Sequence, residues 1–242
     1  MAEEHGMKVI ASIHNDFPTK FGIPHQSNRL DALKATIVFE PEYRVPEAFR
    51  GLEEYDYIWL IWQFSETVRE SWSPTVRPPR LGGNTRMGVF STRSPFRPNS
   101  LGLSSVRLEK IELHPELGPV LHISGADLMN GTPIYDIKPY LAYTDSRPEA
   151  RGGYAEQHFA HRLRVVCTEE ICRQVPAKRW EEIEGLLAQD PRPSYQTDPE
   201  RIYGMEYGEW EIRFRVEGDV LTVCQATKLS NHRGLSNDTE RT

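Results

Sequence analysis

The chain has 242 residues, 29 Lys and Arg against 35 Asp and Glu, and a formal net charge of −6. Hydrophobic residues make up 38%, too many for a disordered chain, and no apolar run approaches the ~18 residues of a membrane span. At roughly 100–200 residues per domain, the length admits one large domain or two small ones. The first residues, MAEEHGMKVIASI, carry two acids where a secretory signal would carry bases. The expectation is a soluble, cytoplasmic protein. Cys167, Cys172 and Cys224 form neither a disulfide framework nor a zinc spacing, so buried free thiols are expected. His158 and His161 lack further ligands at metal spacing, so no metal is expected.

KVIASI (8–13) and ATIVFE (35–40) are short and β-branched, as strands are. VPEAFRGLEEY (45–55) reads as one brief helix. YIWLIWQF (57–64) is an almost continuous apolar and aromatic run, which predicts a strand buried on both faces. A strand ends near Phe90, and 91–103 reads as loop. SSVRLEKIEL (104–113), the turn ELGP and VLHISGA (120–126) predict a hairpin. Asn130-Gly131 marks a turn between two further strands. Several strands with Gly and Pro turns indicate a mainly β fold, an antiparallel barrel or a sandwich.

The pattern changes after Asp145–Gln157, a polar Gly- and Pro-rich stretch with the composition of a linker. AKRWEEIEGLLAQ (177–189) sets Trp180, Ile183, Leu186 and Leu187 on one helical face. EWEIRFRVEGDVLTVCQA (209–226) alternates through Trp210, Ile212, Phe214 and Val216, turns at Gly218-Asp219 and returns. The expected organisation is a β domain over 1–150, a linker over 145–160 and a small α+β domain over 160–242.

Charge distribution carries the functional signal. From Ser71 to Arg107 there is no Asp, Glu or Lys, yet there are six arginines: Arg77, Arg80, Arg86, Arg93, Arg97 and Arg107. Arginine presents a planar fork that matches carboxylate and phosphate. Pro95 and Pro98 stiffen the loop that holds Arg93 and Arg97, which lowers the entropic cost of binding. Asn99 and the serine hydroxyls are read as neutral donors, and Gly102 as a bend or a close approach. These residues describe an anion site. GIPHQS (22–27) and DLMNGTPIYDIKPY (127–140) add His25, Asp127, Asp136, Lys138 and Tyr140 as ionisable groups. No G-x-G-x-x-G, Walker A loop or G-x-S-x-G is present.

RPPRLGGNTRMGVFSTRSPFRPNSLGLSSVRL (77–108) resembles the signature of the TrmO family, also called TsaA or YaeB proteins. FGIPHQS, FRGLEEYDYIWLIWQF, NGTPIYDIKPYL and AQDPRPSY extend the resemblance over nearly the whole chain. It implies a β-barrel rather than a Rossmann sheet. It also implies an S-adenosylmethionine-dependent methyltransferase acting on N6 of threonylcarbamoyladenosine 3′ of the anticodon in threonine tRNA. Two subunits would build the cofactor site between them, and the C-terminal domain would help hold the tRNA. Carried over by position, the cofactor contacts are Pro24, His25, Gln26, Ser65, Glu66, Arg93, Leu103, Asp127, Leu128, Met129 and Asn130, to which the anion-site reading adds Arg97 and Asn99. Departures from the family pattern stand at His25, Ser65, Ser100 and Asn130. Arg77, Arg80, Arg86, Lys138 and Tyr140 form the RNA-facing set. Asp136, or failing it Asp127, is the expected acceptor or orienter of the N6 proton. The alternatives are a barrel that binds nucleotide or RNA without chemistry, and methylation of a small molecule.

Overall fold

The computed structural model describes residues 5–24, 26–27, 30, 32–67, 71–78, 85–154, 162–193, 196 and 198–230. The first strands in chain order are β1 (Ala11–His14), β2 (Lys34–Phe39), β3 (Tyr57–Gln63), β4 (Thr75–Val76), β5 (Met87–Gly88), β6 (Leu101–His114), β7 (Gly118–Ser124) and β8 (Pro133–Pro139). Six of them close an antiparallel barrel in the order β1-β2-β7-β6-β3-β8, while β4 and β5 form a separate two-stranded ladder. Period-2 alternation drives the closure. Ile37 and Phe39, Ile58, Leu60 and Trp62, Val106 and Leu108, and Leu121 and Ile123 all point inward into one core. A register shift between Leu108 and Lys110 lets the long β6 bend as it leaves β3 and follows β7.

After α1 (Ala142–Asp145) the chain enters the second core. Its elements are β9 (Arg164–Val166), α2 (Glu169–Cys172), α3 (Ala177–Leu187), β10 (Tyr203–Tyr207), β11 (Trp210–Glu217) and β12 (Val220–Lys228). The sheet runs β10-β11-β12-β9, with β9 parallel to β12. Ile183, Leu186 and Leu187 of α3 share its core with Met205, Ile212, Phe214 and Leu221. Gly218 takes the left-handed φ of 57° that the β11–β12 turn demands.

The segment between β1 and β2 departs from its sequence neighbours. Phe17 and Leu33 are buried in the second core, with Phe21, Ile23 and Leu30 packed against it. Asp16 fixes the junction. Its carboxylate accepts from Arg179 Nη1 at 2.6 Å, and its backbone oxygen accepts from Gly208 N–H at 2.8 Å. Arg179 also donates to Glu182 at 2.9 Å and lies 5.0 Å from the Tyr207 ring centroid.

Several expectations change. β3 is buried on one face only, because Tyr57, Trp59, Ile61 and Gln63 form the outer barrel wall. The stretch 45–55 is not one helix. Pro46 opens one short 3₁₀ turn, and Gly51, at φ 86°, separates it from the next. The predicted loop 91–103 ends early, since β6 begins at Leu101. β9 and β10 are additions to the expected α+β domain. The cysteines are free, but Cys224 is exposed and Cys167 and Cys172 are only half-buried. Desolvation and the neighbouring Cys172 push the Cys167 thiol up to about 12, away from thiolate reactivity. His158 and His161 lie outside the described residues. Among the described residues no cluster suited to a metal occurs, and no helix is long and apolar enough to cross a membrane.

Candidate active site

Five segments converge on a cleft of about 560 Å³ at one end of the barrel. They are a strap carrying Lys20, Ile23, Pro24 and Gln26, the end of β3 with the turn after it, the arginine loop, the start of β6 and the turn after β7. Apolar walls come from Ile23, Trp62, Phe64, Leu101 and Leu103.

Local chemistry explains the arginine loop. Thr92 Oγ1 donates to Val89 O at 2.8 Å and accepts from Ser94 N–H at 3.2 Å. Ser94 Oγ accepts from Phe96 N–H at 3.3 Å, and Arg97 N–H reaches Pro95 O at 2.9 Å. Of the serine hydroxyls read as ligand donors, that of Ser94 braces the turn, together with Thr92. Both guanidinium groups are held by neutral acceptors. Arg93 Nη1 donates to Gln26 Oε1 at 2.5 Å and Arg97 Nη1 to Thr92 O at 3.1 Å. Among the described residues neither forms a salt bridge, and five N–H donors per guanidinium leave capacity for an anion.

The acid of the site is Asp127. Its Oδ1 accepts from Ser104 Oγ–H at 2.6 Å, and Ser104 Oγ accepts from Trp62 Nε1–H at 3.0 Å. Desolvation raises the Asp127 pKa. The Ser104 hydroxyl, the backbone N–H groups of Asp127 and Ser27, and the charge of Arg93 all pull against that rise. Gly102 makes the Trp62 position possible, since a Cβ there would lie 2.2 Å from the indole ring.

Of the residues expected to bind cofactor, the structure brings Pro24, Gln26, Ser65, Glu66, Arg93, Arg97, Leu103, Asp127 and Met129 to this cleft. Leu128 and Asn130 do not line it. Leu128 is fully buried in the barrel core, and Asn130 Oδ1 accepts from Asn15 N–H at 3.0 Å to fasten the turn. Asn99 is exposed and outside the lining. Asp136 is on the outer wall, opposite Ile61, paired to Lys138 at 2.9 Å and accepting from Ile137 N–H. A register shift between Ile134, which is in the core, and Asp136 turns Asp136 to the outer face with Ile61. Tyr140 packs 5.5 Å from the Trp59 ring centroid on that same wall. Arg77 is exposed, and Arg86 donates to Thr75 Oγ1 at 3.1 Å. His25 and Arg80 lie outside the described residues. Sequence reasoning missed Trp62, Gln63, Ser104, Lys20 and Thr132. The signal for Ser104 was present. Extending the inward series Leu108, Val106 by two residues reaches a serine where an apolar side chain belongs.

A closed barrel with an end cleft that combines arginines, a half-buried acid and aromatic walls has the chemistry to suit a small, polar, anion-bearing ligand. Comparison with known proteins makes the class specific. Residues 12–146 match the tRNA-methyltransferase O N-terminal domain, and residues 158–229 match the TrmO C-terminal domain. A tRNA (adenine(37)-N6)-methyltransferase from Escherichia coli strain K12 is 38% identical over 215 residues, covering 86% of this chain and 91% of that protein. A putative S-adenosylmethionine-dependent methyltransferase from Pseudomonas aeruginosa is 38% identical, covering 87% and 92%. The crystal structure of a Pseudomonas aeruginosa TrmO superposes with a TM-score of 0.75 at 32% identity, over 94% of this chain and 99% of that one. The chain belongs to the tRNA-methyltransferase O family.

Proposed function

We propose that this protein transfers a methyl group from S-adenosylmethionine to N6 of threonylcarbamoyladenosine at position 37 of threonine tRNA. The coarse activity, adenine-37 N6 methylation, is the named function of its Escherichia coli relative. The observation that carries the reading is one cleft holding Arg93, Arg97, Asp127 and an aromatic wall.

The cleft fits the cofactor. Arg93 and Arg97 offer charge-assisted bonds to its carboxylate. Trp62, Phe64 and Leu101 offer apolar surface to its adenine. Asp127 and Glu66 supply negative charge on a site that must also accept a cation. S-adenosylmethionine supplies an electrophilic methyl carbon, whose sulfur leaves as a neutral thioether without an acid. This chain therefore has to align and to manage one proton. Alignment in a preformed cleft supplies up to ~7–11 kcal/mol of barrier reduction. Asp127 rather than Asp136 is assigned to orient N6 or receive its proton, a reading supported by Asp127 lining the cleft, as Asp136 does not. Ser104, donating to Oδ1, holds the carboxyl in place.

The division of labour follows the two cores, with 1–150 binding cofactor and 160–242 contacting tRNA. Two copies meet across the outer face of β3, β6 and β8, a reading supported by Leu103, which is 56% exposed at the cleft mouth. Sedimentation of a monomer at micromolar concentration would count against that assembly. The decisive experiment is mass spectrometry of the anticodon-loop nucleoside in tRNA from cells with and without the gene. The reading expects the methyl on threonylcarbamoyladenosine to vanish with the gene. Its persistence, together with cofactor binding but no labelled-methyl transfer in vitro, would leave a binding protein.

A further inference from the structure

The β4–β5 ladder carries a feature that the cofactor cleft does not use. Trp72 is 50% exposed and Phe90 is 72% exposed, so both leave large aromatic surface in solvent. Their rings stack, 6.1 Å between centroids and 29° between planes. The support beneath them is well held. Thr75 pairs with Gly88 and Val76 with Met87, Val89 N–H donates to Pro74 O at 3.0 Å, and Ser73 Oγ–H donates to Thr75 O at 2.7 Å. Val89, next to Phe90, is 1% exposed and anchors the turn. Arg86 bonds Thr75 of the same ladder, and exposed Arg77 follows β4 directly. The ladder sits inside the acid-free stretch from Ser71 to Arg107. It continues without a break into the arginine loop of the cleft.

We infer that Trp72 and Phe90 form a stacking platform for an unstacked base of the RNA substrate, with Arg77 and Arg86 holding the flanking phosphates. This rests on the proposed tRNA activity and deepens it. Charge selects the occupant. A surface of aromatic faces and arginines without a single carboxylate in its segment complements a polyanion that also presents π-faces, which single-stranded RNA does. The ladder's continuity with the cleft puts the platform at the approach to the reacting base, so a neighbouring loop base is the one it would stack.

The test uses the full-length protein with Trp72→Ala, Phe90→Ala, the double variant and Trp72→Phe. Dissociation constants for an anticodon stem-loop RNA are measured across a salt series, beside calorimetric cofactor affinity and sedimentation. Each alanine variant is expected to weaken RNA binding roughly 5- to 100-fold with an unchanged salt slope, and Trp72→Phe to recover most of it. Arg77→Ala and Arg86→Ala are expected to reduce the salt slope by about one each. Cofactor affinity and sedimentation stay as in the wild type. RNA affinity unchanged in the double variant overturns the proposal. A loss that comes with altered sedimentation overturns it too, by making the platform a contact between copies. A loss that comes with weakened cofactor binding assigns the pair to the cleft's structure instead. Wild-type RNA that is bound but never methylated would break the activity reading while leaving the platform standing.

Discussion

Two concave regions of the same barrel differ in what their charges have left to give. The cleft at the end of β3 and β6 measures about 560 Å³, and a second one over β2, β6 and β7 measures about 640 Å³. The larger one is lined by His14, Lys34, Glu109, Lys110 and His122. Its cations are already matched. Lys34 meets Glu109 at 2.9 Å, and Lys110 and His122 meet Glu112 at 2.8 and 2.9 Å. In the smaller one Arg93 and Arg97 rest on neutral oxygens, and the acid Asp127 is partly desolvated. Volume does not separate the two. Among the described residues, charge without a salt-bridge partner does, and a ligand gains most where it completes such pairs.

Reversing the charge of the two arginines should break the comparison most strongly. Arg93→Glu with Arg97→Glu is expected to lower calorimetric cofactor affinity more than 100-fold, since bonds to charged groups are worth about 1.5–3 kcal/mol each. Removing Lys34 and Lys110 together should change it less than about twofold. Equal effects from both pairs would dissolve the distinction. Gly102→Ala comes next. A methyl that must displace the Trp62 ring should cost about 1–3 kcal/mol in denaturant unfolding and weaken cofactor binding with it.

Arg179→Ala tests the strap that forms one wall of the cleft. Stability should fall by about 1–3 kcal/mol, because Glu182, 8% exposed, loses a charged partner, though the partial exposure of Asp16 screens its share. Cofactor affinity should fall as well, since Lys20, Ile23 and Gln26 belong to that strap. A stability loss at unchanged affinity would show that the strap's anchorage does not reach the cleft.

Asp127 gives a smaller effect with a defined sign. Its folded pKa is raised, so the native state holds the proton more tightly than the unfolded chain does. The contribution favours folding below the ordinary carboxylate value and is lost as pH rises through the elevated folded value. Asp127→Asn, which keeps an oxygen for Ser104, should flatten that segment of the stability–pH curve while lowering single-turnover methylation at saturating substrates. The smallest effect belongs to Asp136→Asn, which should leave single-turnover methylation within about twofold of wild type. A large loss there would place an outer-wall acid in the chemistry, as a cleft completed by a second copy requires.

Much of the barrel was legible because alternation is a local property. Val106 and Leu108, set against Arg107 and Glu109, announce an inward face whatever their partners are, whereas the unbroken apolar run of β3 hid its alternation. The arginine loop was legible because its acid-free run is contiguous. Asp136 misled because proximity along DIKPY says nothing about which side of a wall a residue occupies, and one residue of register reverses it.

By itself, the sequence determined a strand-rich first part, a helix-and-hairpin second part and a stiff cationic loop, since each follows from periodicity or composition within a few residues. Only the tertiary structure decided that Phe17 and Leu33 belong to the second core, that Asp16 meets a partner 163 positions away, and that Ser104 faces Asp127. The physical reason is barrel closure. It brings distant segments together at one end, and it desolvates Asp127.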